Sequence, residues 1–306
     1  MTVLKKNTTV ISPLSYRLSQ ARKGLAEFWW ECRRHPGVIA GCAILILFCT
    51  VALLAPMLAP RAPEAIDLSF RMSPPTWGAA GAVYSLGADQ LGRDILSRII
   101  YGARISIAVG LIASVVSVSI GVVLGMLAGY YRGWFDEVLS RFADLLLAFP
   151  FLIFAIWAMT IIGPGFWNLI FALTFKEWVE FFRLTRSEVM AEKTQEYADA
   201  ARVAGSSNRS VMFGEILPNV FHSVLVLGTL RMGTLIIMEA SLSFLGLGVD
   251  PHLPSWGGMI SDGRGFIWNA WWISTMPGFA LLLLVLAINL LGEGLRDILD
   301  PRLKTD

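Results

Sequence analysis

Ile105-Ser-Ile-Ala-Val-Gly-Leu-Ile-Ala-Ser-Val-Val-Ser-Val-Ser-Ile-Gly-Val-Val-Leu-Gly-Met-Leu-Ala-Gly-Tyr-Tyr131 carries no charge from end to end. A helix needs about 20 mostly apolar residues to cross the hydrocarbon core of a bilayer, and this run exceeds that. Small residues recur along it at helical spacing. Gly102, Ser106, Gly110 and Ser114 lie four apart, and after one step of three the ladder resumes as Ser117, Gly121, Gly125 and Gly129. Lipid tails supply no hydrophobic drive between helices, so small residues at this spacing serve to let a second backbone come close. The run is expected to be a membrane span central to a bundle or to a subunit contact.

The rest of the chain has the same character. Of its 306 residues, 55% are hydrophobic and 16% charged, against roughly 25% charged in an ordinary soluble domain. Two soluble domains would need more polar surface, and a disordered chain would hold fewer apolar residues. A net charge of +2 gives no reason to expect a nucleic-acid partner. Cys32, Cys42 and Cys49 cluster near the N-terminus and read as small apolar residues of a reduced helix. What remains is a polytopic, all-α membrane protein.

Five more spans are expected beside 105–131. They are 37–59, 139–162, 166–183, 220–246 and 271–291, the third and fourth divided by Gly163-Pro164-Gly165. Six spans put both termini on one side. Lys5, Lys6, Arg17, Arg22, Lys23, Arg33 and Arg34 precede the first. Arg186, Lys193, Arg202 and Arg209 lie between the fourth and fifth, and Arg296, Arg302 and Lys304 follow the last. The excess of positive charge marks that side as cytoplasmic. The division expected is a cytoplasmic N-terminus over 1–36, a membrane domain over 37–294 and a cytoplasmic tail over 295–306. The membrane domain has a long external loop at 60–101 and a cytoplasmic loop at 184–219. Leu18, Ala21, Leu25, Phe28, Trp29 and Cys32 form one helical stripe with the basic residues off it, the pattern of an amphipathic helix lying on lipid headgroups. Trp134, Trp167, Trp268, Trp271 and Trp272 fall near expected helix ends, as an aromatic belt requires.

Catalytic patterns are missing. No Gly-Lys pair exists to build a phosphate loop, and His35, His222 and His252 are scattered. No metal set and no catalytic group are expected, and the chain should hydrolyse no ATP by itself. Arg231 is the unusual residue. It lies eleven residues past Val220, about 16 Å deep and near the middle of a core of about 30 Å. Such an arginine should face a polar path, a partner subunit or an acid. Glu239, the acid eight residues on, lies about 80° around the helix and cannot pair with it directly. Arg231 and Glu239 are the candidate residues of a translocation path. From these residues alone, a self-contained secondary transporter or a membrane enzyme with an intramembrane Arg231 site stays open beside a subunit of a larger transporter.

The cytoplasmic loop is the most specific stretch. Glu196-Tyr-Ala-Asp-Ala-Ala-Arg-Val-Ala-Gly205 reads as a short helix stopped by its glycine. A second short helix should follow, with Pro218 opening the fifth span in its first turn. A polar helix pair too short to be a domain suits docking into another protein. Asp199, Ala200, Ala201, Gly205, Leu217 and Pro218 resemble the EAA loop of binding-protein-dependent ABC importer permeases. Three further segments resemble the C-type subunits of dipeptide and oligopeptide permeases: Leu86 to Ser106, Ala240 to Gly248 with Pro254 to Gly257, and Leu291 to Arg302. Asp199 stands where that family has Glu, Glu215 where it prefers an apolar residue, and Ala88 where this branch has Thr.

The resemblance implies a type I ABC importer permease fold in a bacterial or archaeal inner membrane. It implies a homologous second permease, two ATPase subunits that bind the ATP and magnesium, and a periplasmic or lipid-anchored binding protein that delivers peptides or a related solute. The chain itself would hold no cofactor. Glu196 to Gly205 would be the helix that docks on an ATPase, with Ala200 and Ala201 permitting close approach and Gly205 a tight turn. Arg231 would favour a carboxylate on the cargo.

Overall fold

The computed structural model describes residues 33–77, 83–250 and 252–299. The interfacial helix expected over 14–34 and the basic residues beyond 299 therefore lie outside the described residues, Arg33 and Arg34 apart. No strand forms among the described residues; one bridge joins Ala88 to Asp94. Among the described residues, the helices of eight residues or more are α1 (Pro36–Leu53), α2 (Ile95–Tyr131), α3 (Gly133–Ala148), α4 (Phe151–Ile162), α5 (Phe166–Glu192), α6 (Glu196–Val203), α7 (Leu217–Phe244), α8 (Trp256–Gly263) and α9 (Trp272–Leu299). Among the described residues, four helical stretches are long and apolar enough to cross a membrane: α1, α2, α7 with the turns before it, and α9. They become five if α3 and α4 count as one bent span. α5, at 27 residues, has the length but carries Lys176, Glu177, Glu180 and Arg183 in its body.

α2 is the spine. Asp94 caps it, its carboxylate accepting the Ser97 N–H at 2.9 Å and the Ser97 hydroxyl at 2.6 Å. The ladder of small residues lies buried along its length. Gly102 faces Trp256 of α8, Gly110 faces Ile236 of α7, and the Ser114 hydroxyl reaches the Gly228 carbonyl of α7 at 3.3 Å. Gly121, Gly125 and Gly129 instead press on the carbonyls of Trp178, Phe182 and Arg186 in α5. A step of four advances the small face by about 40° around a helix and a step of three returns it by about 60°. The single step of three offsets only part of this drift, so the small face turns through about 180° from Gly102 to Gly129 and its two halves meet different neighbours.

Two expectations change at prolines. The span expected over 139–162 is two helices, α3 and α4, bent by 90°. Phe149, ahead of Pro150, takes an extended conformation, the one that a following proline favours. The Phe149 carbonyl, released from the helix, accepts a hydrogen bond from the Lys176 ammonium of α5. Pro218 stands in the first turn of α7, as expected, but the short helix expected before it is not separate from α7. A turn at Asn208–Ser210 runs through a π-helical stretch, Val211–Ile216, into α7. There the Leu217 N–H bonds back five residues to Met212, and the wider turn makes room for a ring that would clash in a regular α-helix.

A third change concerns the tryptophans. Trp134, Trp167 and Trp268 are exposed as a belt requires, but Trp272 is 6% exposed, and its indole N–H donates to the Ala88 carbonyl at 3.1 Å. It fastens α9 to the segment ahead of α2. Gly125→Leu, which drives a side chain into the Phe182 carbonyl, is expected to cost about 1–3 kcal/mol or more. Gly265→Ala meets nothing within 4 Å and should change stability by less than about 0.5 kcal/mol. Thermal unfolding of the two purified variants in one detergent checks the contrast, and equal melting temperatures would mean that the ladder is not a packing surface.

Candidate functional site

The loop between α5 and α7 is built outward from Tyr130, the last buried residue of α2. Its hydroxyl donates to Asn208 at 3.0 Å, and its carbonyl accepts from the Lys193 ammonium. The Lys193 Nζ also lies 4.9 Å from the centre of its ring, and the Arg202 guanidinium 5.9 Å. Arg202 reaches the Lys193 carbonyl at 3.1 Å and Asp199 at 2.5 Å. The Tyr197 hydroxyl donates to Glu192 at 2.6 Å; burial, and then this bond, push its phenol above its ordinary value. One face of α6 is thereby fixed to the body, with Ala198 fully buried beside Val211, Met212 and Ile216.

The other face of α6 is free. Glu196, Asp199, Ala200, Ala204 and Gly205 are exposed, and Val203, an apolar side chain, is 90% exposed. α6 stops as the sequence predicts. Gly205 takes φ +84°, the Ser206 N–H bonds the Ala201 carbonyl at 3.1 Å, and the Gly205 N–H bonds that of Arg202 at 3.0 Å. This pair of bonds is a Schellman close. Nothing lies within 4 Å of a Cβ added at Gly205, so the glycine serves the turn and not close packing within this chain. Ala201 and Leu217 are half-buried, and Pro218 is exposed.

The second polar site is inside the bundle. Arg231 of α7 finds its acids on α5. Nη2 is 3.0 Å from Glu180 and Nε is 3.5 Å from Glu177. Lys176 joins them at the rim of a cavity of about 150 Å³. Glu239 does not belong to this group. It is 0% exposed, lodged between α2 and α7, where the hydroxyls of Ser106 and Ser243 meet its two oxygens at 3.0 and 2.8 Å. Sequence reasoning placed Lys176, Glu177 and Glu180 within the fourth span but did not weigh them. The signal was present, since Glu177 and Glu180 are three apart and share a helix face.

A third polar group, also missed, lies at the start of α2, at the opposite end from α6. Asp89 is buried and accepts the backbone N–H groups of Leu91 and Arg93 at 2.8 and 2.9 Å and the Arg93 Nε at 2.6 Å. Arg98 is 3.3 Å from Asp89 and 3.5 Å from Asp262 of α8. Arg93 also reaches Asp262 at 3.3 Å. Gly92, at φ +75°, leaves no room for a Cβ against the Asp67 backbone. The segment Leu86 to Ser106 thus folds as a clasp that holds α8 against the head of α2. Ala88 lies fully buried within it.

Two family models match the chain. Residues 121–305 match the binding-protein-dependent transport system inner membrane component, and residues 25–75 match the N-terminal transmembrane domain of oligopeptide transport permease C. The di/tripeptide transport system permease protein DppC of Pseudomonas aeruginosa is 42% identical over 281 residues, covering 92% of this chain and 93% of its own. The glutathione transport system permease protein GsiD of Pectobacterium atrosepticum is 40% identical over 280 residues, 91% of each. Among solved structures, an inward-facing form of the MetNI methionine ABC transporter superposes with a TM-score of 0.56 at 20% identity. It covers 67% of this chain and 97% of the matched one, which bears on the fold alone.

If Gly205 serves the left-handed turn, Gly205→Ala should loosen it and Gly205→Asn should largely keep it, because asparagine tolerates that conformation. Hydrogen exchange at residues 205 and 206 is expected to rise several-fold in the alanine variant, as a cost of about 1–2 kcal/mol implies, and to stay near the parent in the asparagine variant. Equal exchange in all three chains would remove the turn from the account.

Proposed function

We propose, because this chain belongs to the binding-protein-dependent inner-membrane transport components and among them to the C-type permeases of dipeptide and oligopeptide ABC importers, that it forms half of a translocation path for di- or tripeptides. The observation that supports this reading best in the structure is α6, whose inner face is bonded to the bundle while its outer face presents small, acidic and apolar groups to nothing in this chain. A helix held in that way suits docking on a second protein.

In this reading α6 and both termini face the cytoplasm, as the basic residues of the loop suggest. Two ATPase subunits bind beneath the permease pair and carry the ATP and magnesium. One receives Glu196, Asp199 and Ala200 in a cleft, with Val203 supplying apolar contact. Ala201 and Arg202 hold the helix to α2 through the Tyr130 cluster, and the Gly205 turn fixes its end. Leu217 and Pro218 pass a displacement of α6 into α7. Asp199 keeps the negative charge of the glutamate usual in this family. It is paired with Arg202 at 2.5 Å, an exposed pair of small worth that a partner's cation can displace. A binding protein meets the opposite end, where the Asp89–Arg98–Asp262 clasp joins α2 to α8. Peptide is the cargo in the names of several relatives at about 40% identity.

Purification of the chain from its native membrane in mild detergent tests the whole reading. A second permease and two ATPases should accompany it, and the assembly in liposomes should take up Ala-Ala only with ATP and a binding protein. Gly205→Leu should insert at normal abundance and lose uptake. A chain that leaves the membrane alone and moves solute without ATP would overturn the importer reading.

A further inference from the structure

The group around Arg231 is built differently from an ordinary buried ion pair. Glu177 is 5% exposed, and its Oε1 atom has no hydrogen-bond donor, the Arg231 Nε standing 3.5 Å away. That acceptor borders a cavity of about 150 Å³ whose other walls include Leu147, Thr234 and Met238. A buried carboxylate oxygen without a donor is costly in a low-dielectric interior, and the cost is relieved by a cation that brings its own N–H groups. Lys176 gives that oxygen no hydrogen bond; its ammonium bonds the Phe149 carbonyl at the break between α3 and α4. Arg231 directs Nε and Nη2 toward the two acids, which leaves Nη1 for a carboxylate.

Charge narrows the visitor. Two acids face two cations, so the cluster is formally balanced. An ion of either sign would leave net charge inside the membrane, where it is expensive. A molecule with both charges adds none, and it can exchange partners with the existing pairs. We propose that Glu177, Glu180 and Arg231 are a way station for zwitterionic cargo, the acids receiving its ammonium and Arg231 its carboxylate. The inference rests on the peptide-importer reading and deepens it: sequence reasoning gave Arg231 a carboxylate, and the structure supplies the ammonium side. The position fits a station that cargo leaves readily. Glu180 and Arg231 side chains are 37% and 29% exposed, so the site opens sideways from the chain and does not enclose what it binds. Cargo recruited there trades one set of ion pairs for another, and neither step strands a charge.

The test uses the complete assembly in liposomes with its binding protein and radiolabelled Ala-Ala, reading uptake and peptides moved per ATP at matched abundance. Glu177→Gln should lower both by about tenfold, as the loss of one charged hydrogen bond implies. The double variant Glu177→Gln with Arg231→Gln is again charge-balanced and removes any purely structural conflict. It should insert normally and still transport at least about tenfold less than the parent. Recovery of parental uptake in the double variant would make the pair structural only and overturn the proposal, as would parental uptake in Glu177→Gln. Should either glutamine variant fail to insert, Glu177→Asp keeps the charge. It is expected to insert and to lose several-fold in uptake, and parental uptake there overturns the proposal equally. A parental assembly that hydrolyses ATP with its binding protein yet moves no Ala-Ala refutes the peptide reading itself, an outcome distinct from any variant effect.

Discussion

The rest of the structure depends on how closely the backbone of α2 can be approached. In a bilayer, helices gain nothing by hiding apolar surface from one another, so association rests on contact and on polar bonds. Gly121, Gly125 and Gly129 let carbonyls of α5 sit where side chains would otherwise be, and Gly110 gives the same freedom to α7. Two of the polar groups in the bundle depend on these two contacts. Glu239 can be buried because Ser106 of α2 and Ser243 of α7 are brought to its oxygens. Arg231 can reach Glu180 because α2 gathers α5 and α7 on its two flanks.

The second constraint is what happens to carbonyls where a helix ends. The last turn of a helix leaves acceptors without partners, and they attract cations. α5 supplies two. Lys176 binds the Phe149 carbonyl past the end of α3, and Lys193 binds the Tyr130 carbonyl near the end of α2. In sequence, Lys176 falls within the fourth span and Lys193 in the loop after it. In the structure they are what permits a 90° bend and a close turn beside the membrane, and they leave the acids next to them, Glu177 and Glu192, for other partners.

Much of this was legible in advance, and the gaps have physical causes. The small-residue ladder, the stop at Gly205 and the exposed face of α6 follow from spacing, because a helix fixes which residues share a side. The bend at Pro150 was not seen, because an uncharged stretch looks the same to lipid whether straight or broken. The π turn before Pro218 escaped for a related reason: no residue type marks it, and only the need to accommodate the ring does. Glu239 was grouped with Arg231 as a second ionisable residue of the same span, about 80° around the helix. That angle excludes a direct pair but does not say which neighbours each residue meets, and the two face different ones. Trp272 looked like a belt residue because its position near a helix end is right for one, while the acceptor that buries it, the Ala88 carbonyl, lies far away in sequence.

The connection between loop and cluster follows from chain order. α6 is the segment that joins α5 to α7, and those same two helices hold the two halves of the ion cluster, Glu177 and Glu180 on one and Arg231 on the other. A force applied to α6 reaches the end of α5 through Lys193 and Glu192 and the start of α7 through the π turn. It need not be relayed through side-chain contacts to reach the cluster, because both helices are continuous from the loop to the ions. Any displacement that changes the spacing of α5 and α7 at the loop changes the distance between the acids and the arginine. Paired charges held at 3.0 and 3.5 Å respond steeply to such a change, since their attraction falls with distance and each then seeks a new partner. A visitor carrying both charges is the partner that lets the helices separate without stranding either one.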